Sequence, residues 1–452
     1  MKVCKFGGSS VADAGQIAKI CDIVSADPER KIVVVSAPGK RHRDDIKVTD
    51  LLIACGDARL AGKPVDEHLA AVTERFQAIC RDLGVAESVA DDIAEALRAT
   101  VCGDAEHAGR YLDAVKAAGE DNCARLVAGE LQHRGLSAAY VNPRDAGLLL
   151  SDDYGNARLL PESYQNLAAL RDAEGIVVFP GFFGYTPEGE VVTFSRGGSD
   201  ITGSILAAAV AAEVYENFTD VDSVLSADPN VVPDAAPVKE ITFREMRELA
   251  YAGFGVLHDE AIIPAVRAGI PICIKNTNSP SAPGTMIVPE HRQVTSRVVG
   301  IASSAGFCTL YVSKYLMNRE VGFGRKLLQL FEDEGISYEH TPSGIDDMSV
   351  IIKEEDFSRE VEGHIKARIL DELGADKVSV ERGLALVMVV GEGMHYTVGV
   401  AGTATRAFAD AGVNIEMINQ GSSEISLMFG VKAADSARAV AALHEAFFGA
   451  AA

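Results

Sequence analysis

Short runs of β-branched residues alternate with longer amphipathic stretches through the first 290 or so residues. Lys31-Ile-Val-Val-Val-Ser36 is apolar on both faces and stops at Ala37-Pro38-Gly39, the pattern of a fully buried strand. Gly175-Ile-Val-Val-Phe-Pro180 repeats that pattern, and Glu190-Val-Val-Thr-Phe194 runs into a glycine-rich turn. The Ala-rich stretch 201–213 predicts a helix, and Glu213-Val-Tyr-Glu-Asn-Phe-Thr219 a returning strand. Residues 241–252 and 260–268 predict two more helices, and Pro271-Ile-Cys-Ile-Lys275 a closing strand. Such alternation implies an α/β fold in three layers, a mostly parallel sheet between helices. Residues 56–130 are more uniformly helical and charged, and read as a helical insertion or flank.

Past a polar, pattern-free stretch near 289–297 the chain repeats itself. Gly335-Ile-Ser-Tyr-Glu339 returns as Gly412-Val-Asn-Ile-Glu416, an offset of 77 residues (335 to 412). The same offset pairs Phe331 with Phe408, Gly322 with Gly399, Gly344 with Gly421 and Ser349 with Ser426. Each copy reads strand, Gly-containing loop, helix, Gly, strand, short turn, strand. Two ferredoxin-like α+β units are therefore expected. The domain boundaries follow: 1–292, then repeats at 298–373 and 374–452, with interleaving of the repeats left open.

Composition narrows the partners. A net charge of −23 argues against a nucleic-acid phosphate backbone. No run approaches the roughly 20 apolar residues a membrane span needs. Met1-Lys2-Val3-Cys4-Lys5-Phe6 leads straight into a strand-like pattern, so a cytoplasmic protein without a signal peptide is expected. Eight cysteines, none in a C-x-x-C pair, read as reduced and mostly buried. The histidines show no H-x-x-x-H spacing, and no zinc site is expected.

Three polar or glycine loops fall at the expected carboxyl ends of strands, where α/β sheets bind ligands. Lys5-Phe6-Gly7-Gly8-Ser9-Ser10-Val11 places two glycines and a cation at a strand-to-helix turn, suited to a phosphate. An ordinary βα turn with an exposed lysine would look the same. Ser195-Arg196-Gly197-Gly198-Ser199-Asp200 adds a guanidinium suited to a carboxylate, and an aspartate that could equally be a helix cap. Thr219-Asp220-Val221-Asp222 and Ser226-Ala227-Asp228-Pro229 form an acidic turn that capping alone would explain. Neither a P-loop nor a dinucleotide fingerprint is present.

In order along the chain these motifs resemble the aspartokinases of the amino-acid kinase superfamily. The family's K-F-G-G-[ST]-S-V stands complete at 5–11, its G-R-G-G-S-D at 195–200, and its T-D-V-D-G-V-x-x-A-D-P at 219–229. Gly181 to Gly184 matches G-F-[IF]-G, and Val256 to His258 a V-L-H. The repeated tail, including Asn414-Ile-Glu-Met-Ile-Asn-Gln-Gly-Ser-Ser-Glu424, looks like tandem ACT domains.

The resemblance implies an aspartate kinase that uses ATP and Mg²⁺ to phosphorylate the side-chain carboxylate of L-aspartate. It implies Lys5 and Asp200 as catalytic residues, with Gly7, Gly8, Ser9, Ser36 and Gly198 around the phosphates. Thr49, Glu130, Arg196 and Ser199 would bind aspartate; Glu130 is matched to the family's S-x-G-E. Thr219, Asp220 and Asp228 would lie by the nucleotide. No protein metal cage is implied, Mg²⁺ being held mainly by ATP. In the tail, Met317, Asn318, Gly322, Gly324, Ser343 and Asp346 are the candidates for binding a lysine or threonine effector. A homodimer or larger homo-oligomer is expected. The match departs at Ser195, Asn230 and Gly255, the last two replacing basic residues expected by the nucleotide. Kinases of another small acid, and a sensor with a decayed kinase domain, are the rival readings.

Overall fold

The computed structural model describes residues 1–449 except Arg196, 256–258, 292–295 and 422–424. The chain divides into two compact units. Met1–Val224, Pro237–Met246 and Gly255–His291 form the first; Leu225–Ala236, Arg247–Phe254 and Arg292–Ala452 form the second. No described helix is long and apolar enough to cross a membrane.

The first unit is built on β1 (Lys2–Phe6), β2 (Arg30–Val35), β3 (Ala138–Tyr140), β4 (Ile176–Pro180), β5 (Phe183–Tyr185), β6 (Val191–Thr193), β7 (Val214–Thr219), β8 (Glu240–Thr242), β9 (Ile272–Asn276) and β10 (Thr285–Val288). Eight of these form one sheet in the order β3-β4-β2-β1-β7-β9-β10-β8. The strands from β3 to β9 run parallel, and β10 lies antiparallel to β9. β6, expected within the parallel sheet, pairs instead with β5 in a separate two-stranded ribbon.

Around the sheet run α1 (Ala14–Ser25), α2 (Val48–Leu60), α3 (Asp66–Leu83), α4 (Glu87–Val101), α5 (Ala108–His133), α6 (Pro143–Ala146), α7 (Glu162–Leu167) and α8 (Gly198–Ala209). They are followed by α9 (Phe243–Tyr251) and α10 (Ile263–Ala268). The expected helix from 241 opens as a strand because Thr242 and Glu245 cap each other reciprocally. The Thr242 N–H donates to Glu245 Oε2 at 2.8 Å, and the Glu245 N–H to Thr242 Oγ1 at 3.2 Å.

Strand alternation sets which residues face which layer. Cys4, Phe6, Val33 and Val35 share one buried cluster with the apolar residues of α1 and α5. Their alternates, including Lys5, point to the other face, where α8 packs on β1, β2 and β7. Lys5 is thereby aimed at a helix rather than at solvent.

The second unit carries β11 (Gly300–Ser313), β12 (Asp347–Lys353), β13 (Lys377–Val390), β14 (Met417–Gln420) and β15 (Ser426–Lys432) in one antiparallel sheet, ordered β12-β11-β13-β15-β14. Its helices are α11 (Phe323–Asp333), α12 (Arg359–Leu373), α13 (Val400–Asp410) and α14 (Ser436–Phe448). β11 and β13 pair from Gly300↔Val390 to Ser313↔Lys377. Each strand serves both copies. Ile301, early in β11, is buried with β13, α13, β15 and α14, whereas Cys308, Leu310 and Val312 are buried with α11, β12 and α12. The repeats therefore interleave through shared strands.

Candidate active site

Lys5 lies at the carboxyl-terminal end of β1, only 7% exposed. Its Nζ sits 2.6 Å from Asp200 Oδ1, in the first turn of α8, and 3.5 Å from Asn217 Oδ1 on β7. Asn217 Nδ2 donates to the same Asp200 oxygen at 2.7 Å. The register explains the triangle. Lys5 and Asn217 are direct partners across β1 and β7, so both project to the α8 face. Asp200 thus stands in the first turn of α8 and is paired with Lys5.

The loop after β1 meets the loop after β2 backbone to backbone. The Gly39 N–H donates to Gly8 O at 2.8 Å, and a Cβ at Gly39 would come within 2.6 Å of the Gly8 carbonyl carbon. The Ser36 N–H donates to Phe6 O at 3.1 Å, which sets Ser36 beside the Lys5 strand end. Buried Arg75 ties this second loop down, donating to Gly39 O at 3.0 Å and to Asp45 Oδ2 at 2.7 Å. The Arg41 guanidinium, ahead of Arg75, holds the Asp45 carboxyl well below the usual carboxylate range. Thr49 lies half-buried in the first turn of α2, next to Val48, whose side chain approaches Gly119 of α5.

The second glycine loop turns through Gly197 at φ 76° into α8. A Cβ at Gly181 would stand 2.6 Å from Ser199 Cβ, so Ser199 is pressed against the end of β4. Ser195 lines an open cleft of ≈ 690 Å³ with Phe194, Arg158, Arg267, Ile201 and Ile205. Arg196, the Val256–His258 match, and the stretch 422–424 of the tail motif lie outside the described residues. At the ends of β7 and β9, Thr219 Oγ1 donates to Asp220 Oδ1 at 3.2 Å, and Ser10 Oγ bonds Thr277 Oγ1 at 2.7 Å. Gly7, Gly8, Ser9, Ser36, Gly198, Ser199, Thr219 and Asp220 thus lie at or beside strand ends of the first unit. Asp228 belongs to the second unit, where its carboxylate accepts from Asn230 N and Nδ2, both at 2.9 Å.

Glu130 is not brought to the Lys5 site. It lies in the last turn of α5, bound at 2.6 Å by Arg134, whose guanidinium also holds Asp22 of α1 at 2.7 Å. α5 leads into parallel strand β3, so its last turn lies towards the amino ends of the strands. Glu120, ten residues earlier and so about 15 Å back along the helix, is different. It is 5% exposed, its neighbour Gly119 packs on Ala37 just past β2, and among the described residues no side-chain cation pairs with it. Burial pushes its carboxyl up to about 8, only partly offset by the Ala37 N–H, and Oε2 has no hydrogen-bond partner among the described residues. The sequence carries G-E twice on this helix, at 119–120 and 129–130. Asn217 was also not singled out; its signal is a polar residue inside a buried strand.

In the tail, the two candidate effector loops meet. The Leu316 N–H donates to Asp346 Oδ1 at 2.8 Å, the Asn318 N–H to Ile345 O at 3.1 Å, and Ser343 bridges to Met348. Met317 is buried, Gly322 caps α11 at φ 80°, and Gly324 faces Met348.

Comparison with known proteins follows the same division. The Amino acid kinase family matches residues 1–276, and the ACT domain matches 387–447. Aspartokinase 3 of Bacillus subtilis is 54% identical over 448 residues, covering 99% of each chain. The crystal structure of Clostridium acetobutylicum aspartate kinase superposes with a TM-score of 0.87 at 36% identity, over 99% of this chain and 100% of that one. E. coli aspartokinase III superposes at 0.79 (27% identity, 99% and 100% coverage) in its complex with aspartate and ADP. In its complex with lysine and aspartate it superposes at 0.74 (26%, 99% and 99%).

Proposed function

The chain belongs to the aspartokinase family, and from that premise we propose how its residues phosphorylate the side-chain carboxylate of L-aspartate. It is an aspartate kinase, converting ATP and L-aspartate to 4-phospho-L-aspartate and ADP. The nucleophile is an ordinary carboxylate, already ionised at neutral pH. The barrier is therefore one of bringing an anion to a polyanion, and catalysis is positioning plus charge neutralisation.

The observation that carries the assignment of roles is the Lys5–Asp200–Asn217 triangle at a glycine-lined strand end. Lys5 neutralises the transferring phosphoryl group, and Asp200 and Asn217 hold its ammonium in place. Gly7, Gly8, Ser9, Ser36 and Gly198 surround the phosphates, while Thr219 and Asp220 attend the nucleotide. Among the described residues no group of three or more His, Cys, Asp or Glu is placed to hold a metal ion. Mg²⁺, taken to be held mainly by ATP oxygens and water, would supply further neutralisation of the phosphates.

Aspartate is bound through Arg196, Ser199 and Thr49, with its ammonium taken by Glu120 in place of Glu130. A carboxyl titrating near 8 is mostly protonated in the empty enzyme at neutral pH. An arriving ammonium stabilises the ionised form and so supplies a counter-charge directly to Glu120.

The tail senses an amino acid, lysine or threonine, at the loops around Met317–Gly324 and Ser343–Asp346. The E. coli relative solved with lysine supports an effector of this class. The effector acts by preferring one of two arrangements of the tail. A homodimer or larger homo-oligomer and a cytoplasmic location complete the proposal; the buried free thiols, seven of eight cysteines, accord with a reducing compartment.

The test is ATP-dependent acyl-phosphate formation, trapped with hydroxylamine, offered L-aspartate, L-glutamate or N-acetyl-L-glutamate, each with and without lysine or threonine. Product from aspartate alone, suppressed by one additive, is expected. Product from another acid would move the substrate assignment. No product in folded protein would favour a sensor with a decayed kinase domain.

A further inference from the structure

Asp113 lies inside α5, 1% exposed. Its Oδ2 accepts two backbone N–H groups from separate segments, Thr193 at 2.8 Å and Gly155 at 2.7 Å. Lys116 Nζ stands 3.4 Å from Oδ1. A carboxylate this deep is costly unless it satisfies donors that would otherwise be orphaned.

Thr193 ends β6, an outer strand of a two-stranded ribbon, and leads directly into Phe194, Ser195 and the Gly197 turn of α8. On the ribbon side the Phe194 N–H donates to Phe182 O at 2.9 Å. Among the described residues the opposite edge of β6 has no partner strand, and it is closed by Asp113 on the Thr193 N–H and by the Ala157 N–H on Thr193 O at 3.0 Å. Gly155, at φ 80°, turns its own N–H to the same carboxylate and so fixes the segment that supplies Ala157. Two helical turns along the same face of α5 (i, i+7) stands Glu120.

We propose that Asp113 is a positioning residue for aspartate: its buried carboxylate sets the path of the strand that delivers Ser195 and the first turn of α8, with Ser199 and Asp200, to the substrate. This rests on the assignment above of Arg196 and Ser199 to aspartate binding. One rigid helix then holds both sides of the substrate, through Glu120 at the end of β2 and through Asp113 behind the second glycine loop.

The experiment is steady-state kinetics on Asp113→Leu, which removes both bonds at similar volume, and Asp113→Asn, which keeps an oxygen able to accept them. For Asp113→Leu the KM for aspartate should rise about tenfold or more, with the KM for ATP within about twofold. Asp113→Asn should raise the aspartate KM only about threefold, because the bonds lose their charge assistance but not their geometry. Arg196→Ala is run alongside. If it leaves the aspartate KM unchanged, the substrate assignment fails, whatever Asp113 does. If it raises that KM, the double variant Arg196→Ala/Asp113→Leu should be little worse than Arg196→Ala alone. Parallel rises in both KM values, or full multiplication of the two effects, would overturn the positioning role. Should Asp113→Leu not fold, Asp113→Asn decides: an unchanged aspartate KM there also overturns it.

Discussion

Among the described residues, the buried side chains with polar or charged groups are distributed very unequally between the two units. Only Ser226 and Glu362 belong to the second; the first holds Lys5, Arg75, Asp113, Glu120, Asn122, Glu130, Glu216 and Asn217 among others. The second unit instead buries two apolar clusters, one centred on Phe331 and Phe357 and the other on Phe408 and Phe429. Its polar groups stand in loops such as 314–322 and 343–347. Burying a charge is costly, so a concentration of buried charges needs a return. In the first unit that return includes the chemistry proposed above for Lys5 and Glu120. In the second, stability comes from repetition of one apolar design, and the effector contacts proposed above fall in its loops.

The largest effect expected from this contrast is on stability in the tail. Phe331 and Phe408 are equivalent across the repeat, and each is fully buried. Truncation of either to alanine should cost about 3–5 kcal/mol, measured by denaturant unfolding. Because β11 and β13 contribute to both clusters, each variant should loosen hydrogen-exchange protection in both copies. Loss of protection confined to one copy would mean that the shared strands do not couple them.

Next in size is the proposed catalytic role of Lys5. Lys5→Ala should lower kcat by roughly 10²–10³, with circular dichroism showing the fold retained. Near-normal turnover in folded Lys5→Ala would remove the central element of the proposed mechanism.

The smallest effect is a pH dependence. Burial moves Glu120 up to about 8 from an ordinary 4.5. Between those values the folded protein holds a proton there that the unfolded chain has lost, so stability falls as pH rises. The contribution is complete below about pH 4.5 and is lost as pH rises through 8. Glu120→Gln cannot titrate, so the parent should lose stability relative to it between pH 5 and 8. In calorimetry near pH 7, aspartate binding to the parent should release protons, whereas the Gln variant should release fewer. Equal release from both would leave Glu130 or another group to meet the ammonium.

Much of this was written in local pattern. The repeat was legible because glycines and phenylalanines recur at one offset, and the structure places those glycines at matching positions: Gly322 and Gly399 both cap helices with positive φ, and Gly335 and Gly412 both end them. The loop of Lys5 was legible because only a strand-to-helix turn needs glycines there. The ribbon of β5 and β6 was not, since a three-residue apolar run reads the same in either sheet. Nor could the sequence choose between Glu120 and Glu130, because the same dipeptide pattern occurs twice on one continuous helix. That choice depends on the direction of α5 against the sheet, which sends one glutamate to the carboxyl ends of the strands and the other away. The roles of Asp113 and Asn217 are likewise tertiary: a carboxylate reaching two distant backbone N–H groups, and a strand register that sets an amide beside a lysine 212 residues away. Local chemistry thus determined the elements and the family motifs, whereas long-range pairing decided which charged groups meet, because their interaction depends on distances that no spacing along the chain prescribes.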